Sequence, residues 1–449
     1  MKPKNVHFVS LGCPKNRIDT ETMLASLSKD GCVITPHAES ADVVVVNTCA
    51  FVEDAKKESI EAILEAAAQK DAGQIEKLVV TGCLAQRYPE ELARELPEVD
   101  HFVGTNQLDL VTEILDGRTG GRVAVGDPDR RDFNWEAPRY NSMAGHTTYL
   151  KVAEGCSNTC AFCIIPTLRG PQRSRGIESV LKEAEALAEK GVVEFNLVAQ
   201  DLTAYGYDLK PRTSLTALLE ALVQVKGIQW IRLLYAYPRS FPKGLIELMV
   251  REPKITPYLD MPLQHISDTV LKRMKRGTNG DAIRRRLHEL RNKIPNIALR
   301  TTMLVGYPGE TDADFRSLID FVEEMRFERL GAFAYSREEG TPSYDLDLQV
   351  EDSVKAERLD ELMYRQREIS KAHNDDMVGQ AVDVLIEKQS PESDLVWVGR
   401  TAQQAPEIDG VTYLGASEDI APGRIIKARV TQATDYDLVV EPLGGQSPA

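Results

Sequence analysis

The chain has 449 residues, a length that suggests about two to four domains. Hydrophobic residues make up 42%, enough to bury real cores, and no run of about 18 or more apolar residues occurs, which argues against both a disordered chain and a membrane-spanning helix. The formal net charge of −15 is a poor match for a nucleic-acid footprint and suits a basic protein partner better.

The chain starts Met1-Lys2-Pro3-Lys4 and runs straight into a strand-like His7-Phe8-Val9. It lacks the apolar core and small-residue cleavage site of a signal peptide, so a cytoplasmic protein with no membrane partner is expected. Residues 5–118 alternate short apolar strands (6–11, 43–47, 78–81, 101–104) with helical stretches (19–28, 53–69, 89–96, 107–115), which predicts an α/β domain with a parallel sheet. Residues 119–145 are rich in Gly, Asp, Arg and Pro without a period and read as a linker. Residues 146–373 repeat strand then helix six times, with strands at 148–152, 194–199, 230–235, 258–261, 298–305 and 330–334. Six such units predict an open, partial barrel related to the eight-unit barrel. The stripe Leu215, Leu218, Leu219 and Leu222 reads as core. Residues 378–443 hold short strands separated by turn residues (381–387, 395–399, 411–414, 424–430, 438–441), as in a small antiparallel, OB-like barrel.

Seven cysteines occur, an odd number. In a reducing compartment this favours metal ligation or catalysis over a disulfide framework. Cys156, Cys160 and Cys163 form a C-x3-C-x2-C loop directly after the first strand of the expected partial barrel, at the mouth where such folds keep their chemistry. Three close cysteines can hold three irons of a 4Fe–4S cluster and leave the fourth for the amine and carboxylate of an amino acid. Zinc would normally ask for a fourth protein ligand, often as a second C-x2-C pair. Cys13, Cys49 and Cys83 each fall just past the carboxyl end of an expected parallel strand, the edge where open α/β sheets place their functional crevice. That placement predicts a second three-cysteine cluster. Cys32 opens a short strand instead and reads as structural.

The C-x3-C-x2-C loop with Phe162 before its last cysteine resembles the radical S-adenosylmethionine superfamily. The resemblance implies that the cluster reduces and cleaves S-adenosylmethionine to a 5′-deoxyadenosyl radical, with Phe162 beside the adenine. The N-terminal three-cysteine domain, the radical core and the C-terminal barrel together resemble the methylthiotransferases over nearly the whole chain. That family implies a flavodoxin-like first domain, a (βα)6 core and a TRAM barrel. It implies two 4Fe–4S clusters, one S-adenosylmethionine as radical source and another as methyl donor, and insertion of sulfur into a C–H bond. No catalytic residue beyond the clusters is expected, and neither electron donor nor sulfur source is named by the sequence.

Two branches of that family act on tRNA adenosine or on an aspartate of small-subunit ribosomal protein S-twelve. Pro14-Lys15 after Cys13 and Asp201 in Ala199-Gln200-Asp201-Leu202 are similar to the protein-directed branch. From Val378 onward five basic residues face eleven acidic ones, a net charge of −6, which suits a basic ribosomal protein better than RNA. Ribosomal protein S-twelve is therefore the expected substrate, with tRNA the alternative. Gln200 and Gln264 end strands at the expected mouth and are candidate cofactor contacts. In the loop Leu304-Val305-Gly306-Tyr307-Pro308-Gly309, Gly306 and Gly309 permit close backbone approach to a ligand; the resemblance implies that this loop helps bind the cofactor, and a plain tight turn is the alternative. Arg169, Arg173 and Arg175 are expected to meet a carboxylate of cofactor or substrate, or to form a solvated face. His265 reads as packing near the site.

Overall fold

A computed structural model describes residues 4–118, 121–130, 134–415 and 420–443. Met1–Pro3 of the expected leaderless start, and Glu418 and Asp419 of the acidic count, lie outside the described residues. Two units emerge: one takes the residues up to Ser142 with Ala153–Arg175 and Ser336–Tyr344, the other Met143–Val152, Gly176–Tyr335 and the residues from Asp345 onward.

The first unit begins with β1 (Asn5–Ser10), α1 (Pro14–Lys29), β2 (Val33–Ile34), β3 (Val43–Thr48), α2 (Glu53–Asp71) and β4 (Lys77–Gly82). It continues with α3 (Cys83–Arg87), α4 (Pro89–Glu95), β5 (His101–Val103), α5 (Leu110–Leu115) and β6 (Val123–Ala124). The six strands are parallel, in the order β2-β1-β3-β4-β5-β6. Its first five follow the flavodoxin-like order, which reverses between β1 and β3. Every residue of β3 is buried, as expected of a four-valine run covered on both faces.

In chain order β7 (Thr147–Lys151) belongs to the second unit. The first unit then adds β8 (Ala153–Glu154), α6 (Ile165–Arg169) and β9 (Arg173–Ser174), with β8 and β9 antiparallel. The second unit resumes with α7 (Ile177–Glu189), β10 (Glu194–Val198), α8 (Leu215–Leu222), β11 (Trp230–Leu233), α9 (Leu245–Arg251) and β12 (Ile255–Asp260). There follow α10 (Asp268–Arg273), α11 (Gly280–Lys293), β13 (Ala298–Val305), α12 (Asp312–Met325), β14 (Arg329–Ala334) and α13 (Asp352–Asp376). Its sheet is parallel throughout, β14-β13-β12-β11-β10-β7, so each new strand joins the last one laid down and the sheet stays open. Leu215, Leu218, Leu219 and Leu222 are buried, as their spacing predicts. The last strands, β15 (Ala381–Ser390), β16 (Ser393–Thr401), β17 (Thr412–Gly415), β18 (Ile425–Ala433) and β19 (Leu438–Pro442), close a barrel. It is not wholly antiparallel: β17 and β19 run parallel, since a closed barrel of five strands cannot alternate direction all the way round.

Where elements depart from the sequence reading, polarity, proline or shortness hid them. α1 starts at Pro14, five residues before the expected helix, because Pro suits the first helical position and the buried residues that follow (Lys15, Asn16, Asp19, Thr20, Glu21) are polar. β12 starts at Ile255, ahead of the expected 258, with Pro257 inside it and an irregular register to β11. β6 and α3, at two and five residues, are too short for periodicity to reveal.

One buried charge cluster ties the closed barrel to the parallel sheet of the second unit. Glu194 of β10 accepts from Arg232 Nη2 of β11 at 3.1 Å and from Arg400 Nη1 of β16 at 3.0 Å, and Thr147 Oγ1 adds a donor at 3.0 Å. Arg232 Nη1 donates onward to the Ala402 carbonyl at 2.6 Å, and its guanidinium lies over the Tyr258 ring. All three charged side chains are at most 1% exposed. Burial raises the Glu194 carboxyl, but the two arginines outweigh it and bring it from 4.5 to about 2. Breaking such a cluster from one side strands two buried cations, at about 3–5 kcal/mol. A depressed acid stabilises the fold fully above its ordinary value and loses that contribution as pH falls toward about 2. Glu194→Gln is therefore expected to lower unfolding stability by about 3–5 kcal/mol at neutral pH, and the gap to the parent should narrow by roughly 1–2 kcal/mol at an acid pH near 3.5. Denaturant melts of both proteins at the two pH values check this; a gap independent of pH contradicts it.

Candidate functional site

The strand order of the first unit decides where its cysteines go. Cys13 follows β1, Cys49 follows β3 and Cys83 opens α3 directly after β4, so all three leave the carboxyl ends of neighbouring parallel strands, beside the reversal between β1 and β3. Cys13 and Cys49 are half-buried and Cys83 is buried. The thiols sit within electrostatic reach of one another. The loops around them are pinned by side chains. Asn16 Nδ2 donates to the carbonyls of Leu11 at 2.6 Å and Thr48 at 3.3 Å. Ser59 Oγ donates to the Cys49 carbonyl at 2.9 Å and accepts from the Cys49 N–H at 3.0 Å. Thr48 Oγ1 donates to the Thr81 carbonyl and accepts from the Leu84 N–H beside Cys83. Gly12 has φ +87°, and a Cβ there would stand 2.8 Å from Cys49 Cβ, so the turn before Cys13 leaves no room for a side chain.

The three thiols differ electrostatically. Burial pushes Cys13 up, but Lys15, Arg169 and the N–H groups of Asn16 and Lys15 at the start of α1 outweigh it, and the net shift is downward. Burial dominates at Cys49, which the Cys13 charge raises further. Burial also dominates at Cys83, whose thiol is pushed up to about 12 despite Arg169.

The C-x3-C-x2-C loop lies in the same unit, between β8 and α6. Cys160 is buried, and Cys156 and Cys163 are half-buried. The Cys156 N–H donates to the Gly170 carbonyl at 3.0 Å, the Cys163 N–H to the Cys160 carbonyl at 3.2 Å, and Asn158 Nδ2 to Cys156 Sγ at 3.5 Å. Gly155, at φ +76°, precedes the loop, and a Cβ on it would meet the Pro171 carbonyl at 2.2 Å. Phe162 is half-buried.

Among the described residues, no group of three His, Cys, Asp or Glu side chains converges to hold a single metal ion. A cubane spreads three thiolates over three irons rather than one point. Neighbouring thiols on pinned loops, a lowered thiol at a helix start and a guanidinium beside them fit an anionic cluster of that kind.

The other expected cofactor residues belong to the second unit. Gln200 is half-buried just past β10, where Asp201 caps the next turn through Ala204. Gln264 is half-buried past β12 with φ +75°, and its backbone bridges Thr302 and Leu304 of β13. Tyr235, past β11, also has positive φ, at +64°. Two non-glycine residues in this region at neighbouring strand ends store strain of the kind active sites keep; sequence reading missed Tyr235 because nothing in its residue type announces it. Gly306 and Gly309 have positive φ, but the chain itself needs their missing side chains: a Cβ would meet Lys355 Cγ at 2.3 Å and Arg273 Cζ at 2.7 Å. Their N–H groups donate to Glu310 and the Leu348 carbonyl. His265 is fully buried, its Nδ1 accepting from the Ser267 N–H, which agrees with a packing role.

Of the arginines after the loop, Arg169 and Arg175 are buried and Arg173 is half-buried. Arg169 pairs with Asp19 and Glu154 of its own chain, Arg173 donates to the Pro128 and Asp129 carbonyls, and Arg175 stacks over Trp135. Burial is what the sequence pattern did not disclose.

Family models match three stretches: uncharacterized protein family UPF0004 over residues 5–104, the Radical SAM superfamily over 150–322 and the TRAM domain over 378–443. Among solved structures, the radical S-adenosylmethionine methyltransferase TsrM from Kitasatospora setae resembles the chain with TM-score 0.59 at 16% identity, covering 76% of this chain and 77% of that one. The cobalamin-dependent S-adenosylmethionine radical enzyme OxsB does so with TM-score 0.53 at 14% identity, covering 82% and 56%. Those likenesses speak for the fold. The Radical SAM family model and the motif loop it contains define the class as radical S-adenosylmethionine enzymes. Proteins named ribosomal protein uS12 methylthiotransferase RimO are far more similar: that of Anaeromyxobacter sp. (strain K) is 54% identical over 97% of this chain and 92% of its own, that of Myxococcus xanthus (strain DK1622) 51% over 97% and 91%, and that of Geobacter sulfurreducens 48% over 98% of each. The chain belongs to the ribosomal protein uS12 methylthiotransferase family.

Gly12→Ala is expected to destabilise the metal-free chain by about 1–3 kcal/mol through overpacking and to reduce the iron kept after anaerobic loading, because Cys49 must move. Gly31 has the same positive φ with nothing within 4 Å, so Gly31→Ala should show backbone strain without loss of iron. Equal iron in both variants contradicts the role given to Gly12.

Proposed function

We propose that this chain methylthiolates an aspartate β-carbon of ribosomal protein uS12, using two 4Fe–4S clusters, with S-adenosylmethionine as radical source and methyl donor. The observation that carries the reading is the 54% identity, over nearly the full length of both chains, to a protein of that name. The acidic C-terminal region supports a basic protein substrate. Its count of five basic residues overstates what reaches solvent, since Arg400 is buried against Glu194. tRNA adenosine is the disfavoured substrate. The parts are assigned as a methylthiotransferase domain at 5–118, a linker at 119–145, a radical core at 146–373 and a TRAM domain at 378–443. A cytoplasmic location follows from a ribosomal substrate; no helix among the described residues is long and apolar enough to cross a membrane.

Cys156, Cys160 and Cys163 would hold one cluster and Cys13, Cys49 and Cys83 the other. When bound, the clusters and S-adenosylmethionine supply what no side chain has: a radical able to open an inert C–H bond, a sulfur atom and a methyl group. The chain's own residues prepare for this. Lys15, Arg169 and the start of α1 ease loss of the Cys13 proton, which ligation requires. Asn158 donates to Cys156 Sγ and orients it. Phe162, Gln200, Gln264, Gly306 and Gly309 are assigned to the cofactor, the two glycines through loop shape because their N–H groups are engaged.

Anaerobic reconstitution is expected to give about eight irons per chain, and replacing either cysteine triad with alanine about four. Unmodified uS12 and unmodified tRNA, offered in parallel with S-adenosylmethionine, reductant and sulfide, separate the substrates by mass spectrometry. A gain of CH2S on a uS12 aspartate is the expected result, and a gain confined to tRNA overturns the substrate assignment. The Cys13/Cys49/Cys83 variant should still cleave S-adenosylmethionine while transferring no methylthio group.

A further inference from the structure

Arg169 is 2% exposed, and its guanidinium reaches groups tied to both cysteine triads. Nη1 donates to Asp19 Oδ2 at 2.9 Å and to Glu154 Oε1 at 3.1 Å. Nη2 donates to Asn16 Oδ1 at 3.2 Å and lies 3.7 Å from Cys83 Sγ. Asp19 and Asn16 stand on α1, whose first turn follows Cys13. Glu154 is the second residue before Cys156, and Arg169 ends the short helix that follows Cys163. Both carboxylates are almost wholly buried, with side chains 4% and 1% exposed. The anions around it offset the cost of burying the charge, and its planar fork fixes the direction of each donor.

We propose that Arg169 is a positioning residue for the Cys13, Cys49 and Cys83 triad: clamped by Asp19 and Glu154, it holds the Cys83 sulfur and raises the reduction potential of the cluster bound there. The inference rests on the cluster assignment made above for that triad. An electron added to a thiolate-ligated cluster increases its negative charge, so a fixed cation donating to a ligand sulfur favours the reduced form. The carboxylates behind the guanidinium temper that effect. Removing one of their charges should leave more of the cation's field at the sulfur.

The test uses the full chain with Cys156, Cys160 and Cys163 replaced by alanine, loaded anaerobically with iron and sulfide. It is titrated with dithionite as electron donor and followed by electron paramagnetic resonance. The parent should bind about four irons. Arg169→Gln should keep that iron and shift the midpoint potential to more negative values, and Arg169→Lys, which keeps the charge, should recover part of the shift. Asp19→Asn and Glu154→Gln should shift it to more positive values. A purely structural role would change iron content without moving the potential of the loaded fraction. Equal potentials for Arg169→Gln and the parent at equal iron overturn the proposal. If Arg169→Gln takes up no iron, the two carboxylate variants decide: an upward shift sustains the proposal and unchanged potentials overturn it. A parent that binds no iron sinks the cluster assignment itself, and this inference with it.

Discussion

Parallel strands release the chain at the same edge every time, and the site of the first unit depends on that constraint. β1, β3 and β4 are neighbours that run the same way, so residues 13, 49 and 83 arrive together although more than thirty positions separate each from the next. The reversal of strand order between β1 and β3 opens the crevice they enter. Asn16, Thr48 and Ser59 then hold the loops through backbone contacts, so the thiols are set by the sheet and not by the flexibility of their own turns.

Buried charge is the second organising feature, and each unit has its own version. In the first, Arg169 stands between Asp19, Glu154 and Cys83; in the second, Glu194 stands between Arg232 and Arg400. Such clusters add little net stability over an apolar core, but they are costly to leave half made. That asymmetry makes them selective: only the pairing of strands that brings every partner together is tolerated. The Glu194 cluster specifies how β16 of the closed barrel meets β10 and β11. The Arg169 cluster specifies how the segment after the C-x3-C-x2-C loop meets α1.

Much of the architecture was legible because its signals are local. Four valines in a row, an apolar stripe at helical spacing and glycine-bounded strand–helix repeats are properties of short windows, and β3, α8 and the six-strand succession follow from them. The strand-end placement of Cys13, Cys49 and Cys83 was legible for the same reason, since it needs only element boundaries. The start of α1 was not, because its buried face is polar. The parallel pair β17–β19 was not, because closure of a barrel is a property of the whole ring. Arg169, Arg173 and Arg175 read either as carboxylate contacts or as a solvated face, and nothing in their spacing says that Arg169 is buried against Asp19 and Glu154 or that Arg175 is buried over the Trp135 ring.

The sequence by itself determined the main strand–helix succession, the spacing of the cysteines and the family resemblance, since each resides in residue type and spacing along the chain. Only the tertiary structure decided which side chains surround the triads, which thiol is lowered and which raised, and that Gly306 and Gly309 serve contacts with Lys355 and Arg273. The physical reason is that burial and electrostatic neighbourhood depend on residues far apart in sequence, and these meet only when the sheets assemble.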